Sequence, residues 1–240
     1  MAKAQHAGTR ARRRRTDSGE RLVDGITREL RDLILDNKIK PGTVLLQAEW
    51  SERLKVSRTP LREAFRILEQ SGLVQASNGN RTLSVVRYTA KQLEDLYEVR
   101  GVIDGLAARL LAAKSMSDPL RAELGHLLDV MDVGNRFDAT VWFPAHTAFH
   151  VRIAEECGNS RVQQELNLIR STSASLHTHL AELQVDGPEL SKILAVADRQ
   201  HRSTYEAILS RNGDLAEATA CHHITTTLRS GLIPEATDGE

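Results

Sequence analysis

Apolar residues recur every three or four positions along most of the chain, and the pattern changes to alternation at only one place. From Glu20 to Asp36, Leu22, Val23, Ile26, Leu30, Leu33 and Ile34 keep helical spacing, and Asn37-Lys38-Ile39-Lys40-Pro41-Gly42 reads as a turn. A short second helix over Gln47 to Leu54 turns Trp50 and Leu54 inward, and Lys55-Val56-Ser57 forms a tight turn. In the third helix Leu61, Ala64, Phe65 and Leu68 fall at i, i+3, i+4 and i+7 and bury one face. Ser57 or Thr59 can cap its free N–H groups, Pro60 suits its first turn, and Gly72 stops it. Leu73 and Val74, then Leu83, Val85 and Val86, alternate around Ser77-Asn78-Gly79-Asn80, and Asn-Gly between extended runs signals a hairpin. Three helices and this hairpin predict a winged helix-turn-helix over residues 20–87.

Beyond Tyr88 no strand pattern occurs, so the chain reads as mainly α. Lys91 to Ala113 carries Leu93, Leu96, Val99, Val102, Ile103, Leu106, Leu110 and Leu111 on one broad stripe. Further helices follow from Ser117 to Gly134, Ala139 to Glu156, Arg161 to Leu183, Ser191 to Ser210 and Leu215 to Ser230. Six helices with short loops predict an all-α antiparallel helical bundle over residues 88–232, followed by a disordered tail at 233–240.

Composition narrows the class: 40% hydrophobic and 27% charged residues describe a soluble globular chain of two domains. No apolar run approaches a membrane span and no secretory signal precedes the fold, so a cytoplasmic protein with no membrane partner is expected. Cys157 and Cys221 are far apart, which argues against a disulfide framework or a cysteine zinc finger.

The zero net charge hides an asymmetry. Residues 1–90 hold 18 Lys and Arg against 10 Asp and Glu, whereas residues 91–240 hold 14 against 22. One end is built for a polyanion. Residues 1–19, with Arg10 and Arg12 to Arg15 and nothing apolar to bury, read as a disordered basic arm. It either adds salt-dependent phosphate contacts or is a solvated tail.

On the third helix Arg58, Thr59 and Arg62 crowd the first turn opposite the apolar stripe. Arg pairs bidentately with guanine in a major groove, and Ser or Thr holds phosphates. An amphipathic helix with solvated arginines is the bland alternative; the tight turn before it and the wing after it favour DNA reading. Nine histidines supply a second chemistry. His146 and His150 stack at i and i+4, and His201 and His223 lie on the last two helices, 22 residues apart across Asn212-Gly213. Four imidazoles converging inside the bundle could hold one metal ion; hydrogen-bonded core histidines and surface histidines are the competing reading.

Val56-Ser57-Arg58-Thr59-Pro60-Leu61-Arg62-Glu63-Ala64, followed by Leu68-Glu69 and Gly72-Leu73-Val74, resembles the DNA-binding signature of the GntR family of bacterial transcription regulators. Leu96-Tyr97-x-x-Arg100 with Asp104, Phe149-His150, Gly158-Asn159, His201-x-x-x-Tyr205-Glu206-Ala207-Ile208 and His223-Ile224 resemble the FadR subfamily's FCD-type ligand-binding domain. The resemblance implies DNA contacts from Ser57, Arg58, Thr59, Arg62 and the wing residue Gly79, and Arg81, which flanks the predicted wing, adds a further basic contact; where some relatives carry an arginine in the second helix, this chain has Ala48. It also implies a divalent metal held by one Asp and three His. His146 occupies the Asp position, beside His150, His201 and His223. Four neutral ligands leave the ion its full charge and favour zinc or nickel, and would draw an anionic effector more strongly. In the alternative, His146 faces away and the site is weak or empty.

Arg100 is read as the clamp for a small carboxylate effector, with an ion pair to Asp104 as the competing role. The implied function is a homodimeric, ligand-responsive repressor of a catabolic operon that binds an inverted repeat, and not an enzyme. A metal-dependent hydrolase is disfavoured, because no His-Glu-x-x-His occurs and four histidines fill a tetrahedral site. A metal-free architectural DNA binder is the remaining alternative.

Overall fold

Ile26, Leu30 and Ile34 turn the inner face of the first helix, α1 (21–35), into a core shared with Trp50, Leu61, Phe65 and Leu68. The computed structural model describes residues 21–77, 82–132, 137–182 and 188–230, and the chain divides into two units, Met1–Arg87 and Tyr88–Glu240. In the first, β1 (Val44–Leu45) precedes α2 (Gln47–Arg53) and α3 (Arg58–Gln70), and β2 (Val74–Ser77) and β3 (Thr82–Val85) follow. The hairpin is present, with Val74 opposite Val85 and Ser77 opposite Thr82. Its tip, Asn78 to Arg81, lies outside the described residues, as do the basic arm and the tail.

The alternation did not predict β1, which pairs antiparallel with β3 to give the sheet order β1-β3-β2. Two residues are too few to show a period. They become a strand because Ser84 and Leu83 offer them a partnered edge. Gly72, at φ +71, supplies the left-handed turn from α3 into β2.

The second unit contains α4 (Ala90–Ala112), α5 (Asp118–Val130), α6 (Ala139–Glu156), α7 (Ser160–Gln164), α8 (Leu166–Glu182), α9 (Pro188–Leu209) and α10 (Gly213–Arg229). The caps explain most boundaries. Thr89 and Gln92 form a capping box on α4, and the side chains of Ser117, Asp138, Asn159 and Asn212 accept from the first turns of α5, α6, α7 and α10. The single helix expected from Arg161 to Leu183 is two, because the backbone leaves helical geometry at Glu165. Among the described residues no helix is long and apolar enough to cross a membrane.

One sequence expectation is overturned on α4. Val99 and Val102 are 53% and 68% exposed; Leu93 and Leu111 of the expected stripe are buried, but they share the buried face with Tyr97, Arg100 and Asp104 and with Gly101, Gly105 and Ala108. Small residues win this face because α10 approaches α4 closely. A Cβ at Gly105 would collide with Cys221 Sγ and come within 3.3 Å of the Glu217 carbonyl, and the Cys221 thiol donates to the Gly101 carbonyl at 3.2 Å. That approach brings His223 of α10 against α4.

Candidate DNA-reading helix and metal centre

The two candidate sites lie in different units and are built from different physics. In the first unit, Ser57 precedes α3 in extended geometry but makes no side-chain capping bond, so the expected Ser57 cap is absent. Ser57, Arg58, Thr59 and Arg62 are all exposed at the start of α3, opposite the buried Leu61, Ala64, Phe65 and Leu68. Arg66, one turn on, is paired to Glu63 at 3.2 Å, whereas Arg58 and Arg62 have no ion pair among the described residues. Two uncommitted guanidiniums at a helix N-terminus suit phosphate and base-edge contacts. Lys55 adopts φ 54 in the turn between α2 and α3, and Val56 N–H donates to the Ser51 carbonyl at 3.0 Å, which sets the sharp entry into α3. Gly79 and Arg81 are among the residues not described.

In the second unit the four histidines converge. Ligand atoms of His146, His150, His201 and His223 all lie within 4.8 Å of one another, and all four side chains are buried. Three make a tight core: His201 Nε2 is 3.2 Å from His150 Nε2 and 3.0 Å from His223 Nε2. His146 adjoins them from the preceding turn of α6, its ring stacked on Trp142 at 5.0 Å.

The surrounding acceptors fix which nitrogens face inward. His150 Nδ1 is 3.2 Å from Asp104 Oδ2, and His223 Nδ1 is 3.1 Å from Gln200 Oε1. Both oxygens accept, so both rings carry the proton on Nδ1 and turn a bare Nε2 toward the centre. His201 Nε2 cannot satisfy both neighbours with one proton. Its Nδ1 and that of His146 are also buried without a hydrogen-bond partner among the described residues.

Converging lone pairs are what a cation requires. Tetrahedral zinc with Zn–N bonds of about 2.0–2.1 Å sets its nitrogens roughly 3.3 Å apart, close to the 3.0 and 3.2 Å spacings here. The donor set therefore fits a divalent metal with imidazole preference.

Electrostatics point the same way. Burial, reinforced by the neighbouring histidines, pushes the pKa values of His146, His201 and His223 well below the ordinary range, so these imidazoles stay neutral. Burial also lowers His150, against the pull of Asp104. Burial opposes ionisation of Asp104, but the Arg100 guanidinium and His150 outweigh it and hold its carboxyl below the usual carboxylate value. His177, stacked on Phe143 at 4.1 Å, is pushed down to about 3 by burial and by Arg100.

Of the two readings of Arg100, the geometry shows the ion pair. Its Nε donates to Asp104 Oδ2 at 3.2 Å, and Nη1 donates to Thr172 Oγ1 and Ser173 Oγ at 3.2 Å each. Nη2 is buried with no partner among the described residues. Sequence reasoning had paired Asp104 with Arg100 but missed its contact with His150, and it missed Gln200 altogether. The i, i+4 spacing of Arg100 and Asp104 was visible; nothing local marks Gln200, which acts on a histidine 23 residues away.

Two cavities adjoin the cluster. One of about 10 Å³, lined by Asp104, Phe149, His150, His201 and His223, has room for a single small ion or water. The other holds about 180 Å³, with His146 and His223 on its wall.

Comparison with known proteins supplies the family context. Residues 95–226 match the FCD domain, and residues 22–83 match the bacterial regulatory proteins of the gntR family. The chain is 27% identical over 222 residues to a probable D-xylose utilization operon transcriptional repressor of Paenarthrobacter nicotinovorans, covering 92% of this chain and 91% of the relative. It is 26% identical to the gluconate operon transcriptional repressor of Bacillus licheniformis, covering 78% of this chain and 75% of that one. Among solved structures, McbR/YncC of E. coli superposes with a TM-score of 0.71 at 17% identity, over 87% of this chain and 95% of that chain. A putative GntR regulator from Rhodococcus sp. RHA1 gives 0.64 at 24% identity, over 90% and 98%. Both structures show the fold alone.

Proposed function

The chain belongs to the gntR family of bacterial transcription regulators with an FCD domain as its second half, and from that premise we propose that it represses a catabolic operon until a small organic acid binds at a histidine-held metal. It is a DNA-binding regulator rather than an enzyme. The observation that carries the finer reading is the convergence of His146, His150, His201 and His223 with two of their Nδ1 atoms anchored by Asp104 and Gln200. Zinc or nickel would be held there by the Nε2 atoms of His150, His201 and His223, with His146 as the fourth ligand. When bound, the ion supplies a positive charge that an effector carboxylate can meet. Asp104 and Gln200 position the ligands, and Arg100 holds Asp104 in place; its Nη2, which has no partner among the described residues, is left to act on an effector. Repressor names among the relatives support the repressor assignment, and a DNA-binding role is consistent with the cytoplasmic location we propose.

DNA contact is assigned to Ser57, Arg58, Thr59 and Arg62, with Gly79 and Arg81 at the wing. Arg62→Ala is expected to weaken binding to the promoter beside the gene by about 1–3 kcal/mol and binding to random DNA much less. Mobility shift across a salt series checks this, and equal losses on both DNAs would reduce Arg62 to a nonspecific phosphate contact. An intact protein without salt-sensitive sequence preference would remove the regulator's proposed operator.

An inverted repeat needs two copies, and α4 supports a second copy as the partner. Val99 and Val102 are exposed there, with Leu96, Ile103 and Leu106 half-buried beside them at helical spacing. The double variant Val99→Glu/Val102→Glu is expected to sediment as a monomer and to lose operator affinity. A variant that remains dimeric would move the interface off this face.

A further inference from the structure

The larger cavity has a chemistry that the histidines do not account for. It holds about 180 Å³, and a cavity of roughly 150 Å³ accommodates a benzene ring. Trp142, Phe143, Leu176, Leu180, Ile193 and Leu194 give its wall an apolar side, continued by Val196 and Ala197. The polar side chains on that wall are committed to the protein. Gln200 donates to Thr226 Oγ1 at 3.1 Å while its Oε1 accepts from His223. Thr227 Oγ1 donates to the His223 carbonyl at 3.1 Å, and Ser230 Oγ to the Thr227 carbonyl at 2.7 Å. One end differs: His146 and His223 reach it, and His146 Nδ1 is buried without a partner among the described residues.

We infer that the effector is a monocarboxylate with a compact apolar body of about benzene size, its carboxylate at the histidine end and its ring among Trp142, Phe143 and the leucines. This deepens the proposed function and rests on it for the metal. A sugar acid would press several hydroxyls against a mostly aromatic and aliphatic surface, where the few remaining lone pairs of Thr226, Thr227 and Ser230 leave most of them without a partner. A dicarboxylate would bury its second charge with no Lys or Arg among the described lining residues to face it. A single-ring acid leaves neither group stranded and fills the volume.

Calorimetric titration of the full chain, zinc-loaded and after chelation, with benzoate, cyclohexanecarboxylate, gluconate and succinate tests this, alongside metal content. Both cyclic acids are expected to bind the zinc-loaded protein at least about tenfold more tightly than gluconate or succinate. Ala197→Phe fills the cavity from α9 and is expected to weaken benzoate at least about tenfold with zinc content unchanged; Val196→Phe serves if that variant does not fold. Tighter binding of gluconate or succinate to fully loaded protein overturns the inference and leaves the metal reading intact, and so does failure of both cyclic acids to bind. Benzoate binding that survives chelation unchanged supports the apolar class and takes the metal out of effector recognition.

Discussion

Asp104→Asn is expected to lower the stability of the second unit by about 3–5 kcal/mol, although it changes no volume. Arg100 is 1% exposed and Asp104 is its ion-pair partner, so the variant leaves a buried guanidinium without its counterion. The hydroxyls of Thr172 and Ser173 still accept from Nη1, but Nη2 already has no partner among the described residues, and no other carboxylate pairs with this guanidinium among them. The same substitution weakens the anchor on His150 Nδ1, and loss of such an anchor costs roughly 10- to 100-fold in metal affinity. The measurement is made simple by the two tryptophans, one buried in each unit. In a Trp50→Phe background, Trp142 fluorescence follows the second unit alone during urea unfolding. A loss below about 1 kcal/mol would mean that water reaches Arg100 and that the pair is not a buried one. Arg100→Met/Asp104→Leu should recover most of the loss, because removing both charges leaves nothing unpaired.

Zinc is expected to stabilise the wild-type unit by about 4 kcal/mol at a free concentration a thousandfold above its dissociation constant, and His201→Ala is expected to abolish that response. His201 is the chosen position because its Nε2 touches both His150 and His223. Without it the remaining rings lose the nitrogen that lies between two of them. The metal-free protein separates this from a packing effect. In chelator, the wild type carries facing lone pairs and a His201 Nδ1 with no partner among the described residues, so removing the ring relieves as well as empties, and the net change is expected to stay within about 1–2 kcal/mol. Equal destabilisation by His201→Ala in zinc and in chelator would make the cluster a set of core histidines. Urea midpoints with and without zinc, together with elemental analysis, decide the matter.

The first unit was largely legible because its signals are local. Leu61, Ala64, Phe65 and Leu68 define a face by spacing alone, and Asn78-Gly79 marks a hairpin whose pairing the structure shows on either side of the tip. β1 was not, since a two-residue strand exists only by virtue of its partner. On α4 the same reasoning misled. Counting large apolar residues selected Val99 and Val102, whereas the buried face is the one whose small residues let α10 approach. Apolar periodicity identifies a stripe but cannot say which of two stripes another helix covers.

The histidines divide along the same line. The sequence alone determined that His146 and His150 share a face, because 3.6 residues per turn stacks i on i+4, and it determined the cationic start of α3. It suggested His201 and His223 only through a turn between two helices. Only the tertiary structure decided that all four meet, that Asp104 and Gln200 turn two of the rings inward, and that the adjoining cavity is apolar. Those outcomes depend on helices packed side by side, across separations such as the 51 residues between His150 and His201. Helical periodicity reaches one or two turns; the rest is set by which surfaces fit.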